Sequence, residues 1–179
     1  MNAWNLALFD LIAAGHQPTP VLLWIASALA EGSTWVCAAL IAAAAWKRPA
    51  TRARVVFVLV VAALASPLAR ELAAAIGAPR PFMLGLSPEY VEHGARAGLP
   101  STHASVMFTV AFMLITDRRL RTVGWAVLAI AVATAWARVY VGVHFPADVA
   151  AGALLGACLA AAAQGVWIGV ARLRRRTEP

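Results

Sequence analysis

Acidic residues are scarce in this chain. Eight aspartates and glutamates stand against fifteen lysines and arginines among 179 residues, and no stretch gathers the carboxylates that a calcium or magnesium site requires. Cysteine is scarcer still. Cys37 and Cys158 each lie in an apolar run, where free cysteine behaves as a small hydrophobe, and they offer neither a zinc-ligand spacing nor a case for a disulfide. Charged residues amount to only 13% of the chain, about half the ~25% usual in soluble domains. That shortage excludes a water-soluble core. With 62% hydrophobic residues and a mean hydropathy of +0.76, the chain reads as an all-α, polytopic membrane protein with one domain over residues 1–179.

The net charge of +7 does not argue for nucleic acid, because the basic residues are confined to short clusters between apolar runs. Lys47, Arg48, Arg52 and Arg54 form one cluster. Arg118, Arg119 and Arg121 form the second, and Arg172, Arg174, Arg175 and Arg176 the third. This is the pattern of cytoplasmic loops in a membrane protein. The first residues lack a basic segment, and Asp10 and His16 interrupt their apolar character. Insertion is therefore expected to use internal spans rather than a cleaved leader.

About five transmembrane helices and an N-terminal interfacial helix are expected. Trp4 to Ala14 is too short to span and reads as the interfacial helix, ending before the turn-rich segment His16 to Pro20. The spans are Val21–Trp46, with Trp24 and Trp46 as anchors, then Val55–Ile76, Ser101–Thr116, Thr122–Ala137 and Pro146–Ala171. Glu31 lies within the first and is expected to face a polar cavity. Arg70 and Glu71 lie in the last turns of the second, either paired with another helix or placed beside the site. In the long loop from Gly77 to Leu99, Ser87-Pro88-Glu89 reads as the start of a short surface helix. His93 and Arg96 follow, as solvated loop residues or as neighbours of the site. Gly152-x-x-x-Gly156 and Gly165-x-x-x-Gly169 permit close helix packing. Such spacings are common in alanine-rich spans, so oligomeric state stays open. With the basic clusters cytoplasmic, the Gly77–Leu99 and Tyr140–Phe145 loops both face the opposite side.

The polar motifs all collect on that outer face. Pro146 suits the first turn of the last helix, which sets His144 just outside the turn and Asp148 just inside it. A carboxylate there can hold one imidazole nitrogen and leave the other free, as a nucleophilic or general-base histidine requires. A pair that merely caps the helix is the plain alternative. Pro100-Ser101-Thr102-His103 opens the third span, where the unpaired N–H groups and the helix dipole make an anion site. Arg80 and Arg138 add planar, permanently charged donors suited to phosphate oxygens.

Arg80-Pro81, Pro100-Ser101-Thr102-His103 and Arg138-x5-His144-x3-Asp148 together resemble the three-part signature of the type 2 phosphatidic acid phosphatase superfamily. Within it the chain is most similar to the bacitracin-resistance type of bacterial undecaprenyl-diphosphate phosphatase. Two departures are visible. Thr102 stands where glycine is common, and Ala73 occupies the position of the family's usual first-motif lysine. Arg70, one helical turn earlier on the same face, is the candidate to replace that charge.

The resemblance implies a membrane lipid phosphatase without metal or cofactor. In it, His144, oriented by Asp148, attacks the terminal phosphorus. Arg80, Arg138, Ser101 and Thr102 hold the phosphoryl oxygens, and His103 serves as acid and then as base. Arg70, Glu31 and Pro81 are expected next to this set. The implied partner is a polyprenyl diphosphate in a bacterial plasma membrane, with the site facing outward, and no nucleic acid. A phosphatidylglycerophosphate or lipid A phosphatase, or a phosphotransferase, would use the same residues. A non-catalytic protein that binds lipid headgroups is the alternative of another class.

Overall fold

A bilayer offers the backbone no hydrogen-bond partner but itself, so these alanine- and leucine-rich runs fold as helices. The computed structural model describes residues 3–177, with side chains as far as Leu173. The side chains of Arg174, Arg175 and Arg176, counted above in the third basic cluster, lie outside the described residues. The elements are α1 (Ala3–Ile12), α2 (Pro20–Lys47), α3 (Arg52–Ile76), α4 (Thr102–Ile115), α5 (Arg121–Tyr140) and α6 (Pro146–Thr177), with single 3-10 turns at Pro49–Thr51 and Phe82–Leu84. No strand occurs among the described residues.

Four of the expected spans, corresponding to α2, Pro49–Ile76, α5 and α6, are long and apolar enough to cross a membrane. The third is not. α4 has 14 residues, about 21 Å of helix, which falls short of the ~20 residues a bilayer needs. It can be short because protein surrounds it. Ala104, Ser105, Met107 to Ala111, Met113 and Leu114 are all buried, and α3, α5 and α6 pack around it. The approach of α6 depends on two glycines. A Cβ at Gly152 would stand 2.7 Å from the Ser101 carbonyl oxygen, and one at Gly156 would stand 2.8 Å from the Thr109 nitrogen. The first small-residue spacing therefore closes the bundle internally. Gly165 and Gly169 have open space beside them.

The first two basic clusters meet at one end, where Arg48 Nη1 donates to the Arg119 carbonyl. Arg54 departs from the solvated charge expected of it, being only 3% exposed. Its Nη2 reaches the Met113 carbonyl at 3.0 Å, Thr116 Oγ1 at 3.0 Å and Gln164 Oε1 at 2.6 Å, and its guanidinium lies 5.0 Å from the Trp167 ring centroid. One arginine thus ties α3 to the end of α4 and to α6.

The loops at the opposite end are anchored by tertiary contacts. Ser87-Pro88-Glu89 is not helical. Instead Val91 is buried among residues of α2 and α5, and the Tyr90 hydroxyl donates to the Gly15 carbonyl at 2.7 Å. These attachments hold the segment in an irregular course, with the Tyr90 N–H turned back to the Pro88 carbonyl. Gly142, at φ +76°, sits where any side chain would collide with Ser87. The N-terminal helix also serves this end. Asn5 Oδ1 accepts the Ala147 N–H at 2.9 Å, capping α6. Phe9 packs on Phe145 with ring centroids 5.2 Å apart, while Trp4, Leu8 and Leu11 point outward.

Candidate active site

Arg80 follows the left-handed Gly77 that ends α3, and its guanidinium joins two loops. Nε donates to the Arg96 carbonyl at 2.7 Å, Nη2 to the Ala97 carbonyl at 3.3 Å and Nη1 to the Val143 carbonyl at 2.8 Å. Nη1 also lies 3.0 Å from His144 Nε2. Loop carbonyls taken out of water need donors, and a fork of five N–H groups supplies several at once. Buried Pro81 leads into the 3-10 turn below, and its carbonyl accepts the Leu84 and Leu86 N–H groups.

Arg138 occupies the last turn of α5. Nη1 donates to the Ala30 carbonyl at 3.1 Å, and Nη2 faces His93, 2.8 Å from Nε2. Its Nε is buried without a partner. The Arg138 carbonyl also receives the Val143 and His144 N–H groups, each at 3.2 Å, so the turn carrying His144 is folded back onto this arginine.

His144 is 1% exposed. Its Nδ1 lies 3.3 Å from Asp148 Oδ2, and the same oxygen accepts the Phe145 N–H at 2.9 Å. Two neighbours fix one tautomer. A carboxylate accepts and an arginine only donates, so Nδ1 carries the hydrogen and Nε2 presents a lone pair toward Arg80. The backbone of Asp148 holds the other motif, since its carbonyl accepts the Ser101 N–H at 2.9 Å. Ser101 stands at the N-cap of α4, but its side chain makes no capping bond, and Oγ is buried without a partner. The first turn of α4 is therefore left open toward the cavity, as an anion site requires.

That cavity, about 760 Å³, is lined by Arg70, Arg80, His93, Arg96, Thr102 and His103 among others. Past Ser66, Thr102 and His103 it abuts an apolar groove of about 360 Å³ between Ala62, Val106 and Met107. Arg70 and Glu71 both line the cavity. Neither has an ion-pair partner among the described residues, and Arg70 Nη2 donates to Ser66 Oγ at 3.1 Å. Of the two positions the sequence left open for them, they take the one beside the site. Glu31 lies close enough for its charge to act on Arg138 but does not face the cavity expected of it. It is exposed and does not line the cavity, because Ala30 and Ser33 take the buried positions of α2.

His93 is the residue that sequence reasoning left undecided. Its ring centroid is 6.0 Å from that of the buried His144 and 6.2 Å from that of His103, and it lines the cavity together with His103. Its N–H is held by Glu89 Oε1 at 2.7 Å, an i to i+4 contact inside an irregular loop, and neither residue type nor spacing announces that. Burial, followed by the charges of Arg138, Arg80, His103 and Arg96, pushes His93 down to about 3. Burial and then Arg80 and Arg138 hold His144 well below the ordinary histidine range. Both rings are neutral at neutral pH. Arg80 is lowered by burial, with Asp148 and Glu89 opposing the shift.

Gly98 marks how tightly this end is packed. A Cβ there would stand 2.9 Å from Asp148 Oδ2 and 3.1 Å from Arg80 Cγ. Gly98→Ala is therefore expected to lower kcat about tenfold by displacing both groups, at a stability cost of about 1–3 kcal/mol. Steady-state rates measured beside a thermal melt check this; an unchanged kcat would contradict it.

A polar cavity lined by arginines and adjoining an apolar groove is suited to a phosphorylated lipid, and the class it points to is that of the membrane lipid phosphatases. Comparison with known proteins gives the family: the chain belongs to the PAP2 superfamily, whose sequence model matches residues 53–169. It is 32% identical over 165 residues to "Putative undecaprenyl-diphosphatase YbjG" of Escherichia coli (strain K12), a match covering 91% of this chain and 82% of the relative. It is 31% identical over 71 residues to undecaprenyl-diphosphatase BcrC of Bacillus subtilis (strain 168), covering 40% of this chain and 36% of that one. The crystal structure of Aquifex aeolicus LpxE has the same fold, with a TM-score of 0.74 and 25% identity over 92% of this chain and 96% of that one.

Proposed function

We propose that this membrane phosphatase hydrolyses undecaprenyl diphosphate to undecaprenyl phosphate and orthophosphate at the outer face of a bacterial plasma membrane. The observation that carries the reading is the buried His144, with its lone pair fixed on Nε2 beside Arg80, where Arg80 in turn lines a cavity that abuts an apolar groove. Similarity to YbjG and BcrC supports the choice of substrate. The outward orientation is supported by the first two basic clusters meeting at the opposite end of the bundle.

In the mechanism, Arg80 Nη1 exchanges His144 Nε2 for a phosphoryl oxygen, which frees the lone pair. Nε2 then attacks the terminal phosphorus. The bond to the bridging oxygen breaks, its electron pair stays on the departing lipid phosphate, and His103, protonated once the bound diphosphate offsets the charge of Arg138 and Arg80, supplies the proton. Positive charge on the His144 ring is offset by Asp148 through Nδ1–H. Arg80, the unpartnered Arg138 Nε, Ser101 Oγ and the first turn of α4, with Thr102, hold the transferred oxygens. Water next attacks the phosphohistidine, His103 takes its proton, and the N–P bond breaks to release orthophosphate. His93 accepts from Arg138 and keeps its guanidinium turned toward the cavity.

Purified protein given undecaprenyl diphosphate, phosphatidylglycerophosphate, lipid A and phosphatidic acid in matched detergent is expected to release phosphate fastest from the first. Faster release from another lipid would reassign the substrate. Transfer of phosphate to a second lipid would make the chain a phosphotransferase, and no release from any would leave a headgroup-binding protein. Because His144 is held well below its ordinary value, protonation of the nucleophile begins only at lower pH. The acid limb of kcat/KM is therefore expected below the ~6.5 of a free imidazole. A limb at or above that value would show that His144 is not the group titrating there.

A further inference from the structure

The cavity holds more cationic donors than one phosphoryl group can use. On the reading above, the transferred group is served by Arg138, Ser101, the start of α4 and Arg80. Four of the five N–H groups of Arg80 already meet the carbonyls of Arg96, Ala97 and Val143 and the ring of His144. Two further arginines line the same cavity, Arg70 from α3 and Arg96 from the loop. Arg70 gives one bond, to Ser66, and the Arg96 side chain gives none among the described residues. Glu71 is the one carboxylate on that wall. Neither arginine supports the fold as Arg80 and Arg54 do, and both remain exposed.

Their position in the cavity says what they face. Ser66, the partner of Arg70, lines the polar cavity and the apolar groove alike, as does His103. Arg70 thus stands at the junction, on the side where a lipid tail in the groove would join its headgroup. A terminal phosphorus at His144, a leaving oxygen at His103 and a tail between Ala62, Val106 and Met107 leave one group to be placed at that junction, the non-transferred phosphate. We infer that Arg70 and Arg96 form a second anion subsite that binds this inner phosphate and selects diphosphate lipids over monophosphate lipids. The inference rests on the phosphatase reading and adds its specificity. The subsite takes no part in bond breaking. It favours the diphosphate because a monoester has no charge to place there, and charge-assisted contacts made to one substrate alone translate directly into discrimination.

Farnesyl diphosphate and farnesyl monophosphate share a tail and differ only in this phosphate. With the full-length protein in detergent, the ratio of their kcat/KM values is expected to fall about tenfold in Arg70→Ala, about tenfold in Arg96→Ala and roughly a hundredfold in the double variant, the scale of one charged hydrogen bond each. A ratio that stays constant overturns the inference, whether both substrates slow together or neither does. Proportional slowing would assign the arginines to the transferred phosphate or to folding. Should the wild type release phosphate from neither substrate nor from undecaprenyl diphosphate, the phosphatase reading itself fails. Equilibrium binding of the same two lipids then decides the subsite: weaker binding of the diphosphate alone in the variants supports it, and equal binding of both lipids in all proteins overturns it.

Discussion

His144→Ala is expected to lower phosphate release by roughly 10⁴-fold or more, the loss typical when a covalent nucleophile is removed from an otherwise intact site. The fold should survive. Arg80 and Asp148 lose the imidazole but keep other partners: Arg80 still holds the carbonyls of Arg96, Ala97 and Val143, Asp148 keeps its bond from the Phe145 N–H and its backbone bond to Ser101, and the N–H of residue 144 still reaches the Arg138 carbonyl. The readout is therefore double. Rapid denaturation in alkaline detergent with terminally labelled substrate should trap a phosphoprotein, stable to base and lost on acidification, from the wild type and none from the variant, while elution and melting stay close. A variant retaining a tenth of the wild-type rate would mean that another group, His93 or His103, makes the first bond. Chelator is expected to leave the wild-type rate intact, since guanidinium groups take the place of a cation clamp in this scheme.

Much of this site was legible in the sequence because its chemistry is local. His144 and Asp148 are four residues apart across a proline-led helix start, so their contact follows from helical geometry once Pro146 is placed at the first turn. Ser101 before α4 is legible for the same reason. The bundle could be read because a bilayer enforces long apolar runs. What escaped depends on tertiary neighbours. Nothing local distinguishes Arg54, buried under α4 and α6, from the solvated arginines beside it. α4 is short because other helices replace lipid around it, which its own sequence cannot record. Ser87 to Glu89 has every local mark of a helix start, yet Val91 and Tyr90 are held elsewhere. His93 reaches Arg138 across 45 positions of chain, and only a folded loop shows that they meet.

Arg138→Lys is the second substitution expected to act strongly, because this guanidinium does three things that an ammonium cannot do together. Nη1 is fixed by the Ala30 carbonyl on α2, Nη2 faces His93 on the loop, and Nε is buried and unpartnered, which the proposed mechanism assigns to a phosphoryl oxygen. A lysine can satisfy the Ala30 carbonyl or approach the phosphoryl group, but its single nitrogen cannot bridge the two. The loss should appear mainly in kcat, about 10²- to 10³-fold, since a planar fork matches the oxygens of the transferring phosphoryl group best as charge develops on them. Orthovanadate, which can adopt five-coordinate geometry, should lose affinity more steeply than orthophosphate in the same variant. If lysine instead kept kcat within threefold and weakened both anions equally, Arg138 would be contributing charge alone. The buried Nε would then have no part in the reaction, and the open turn of α4 with Ser101 Oγ would have to supply the geometry that the guanidinium is here assigned.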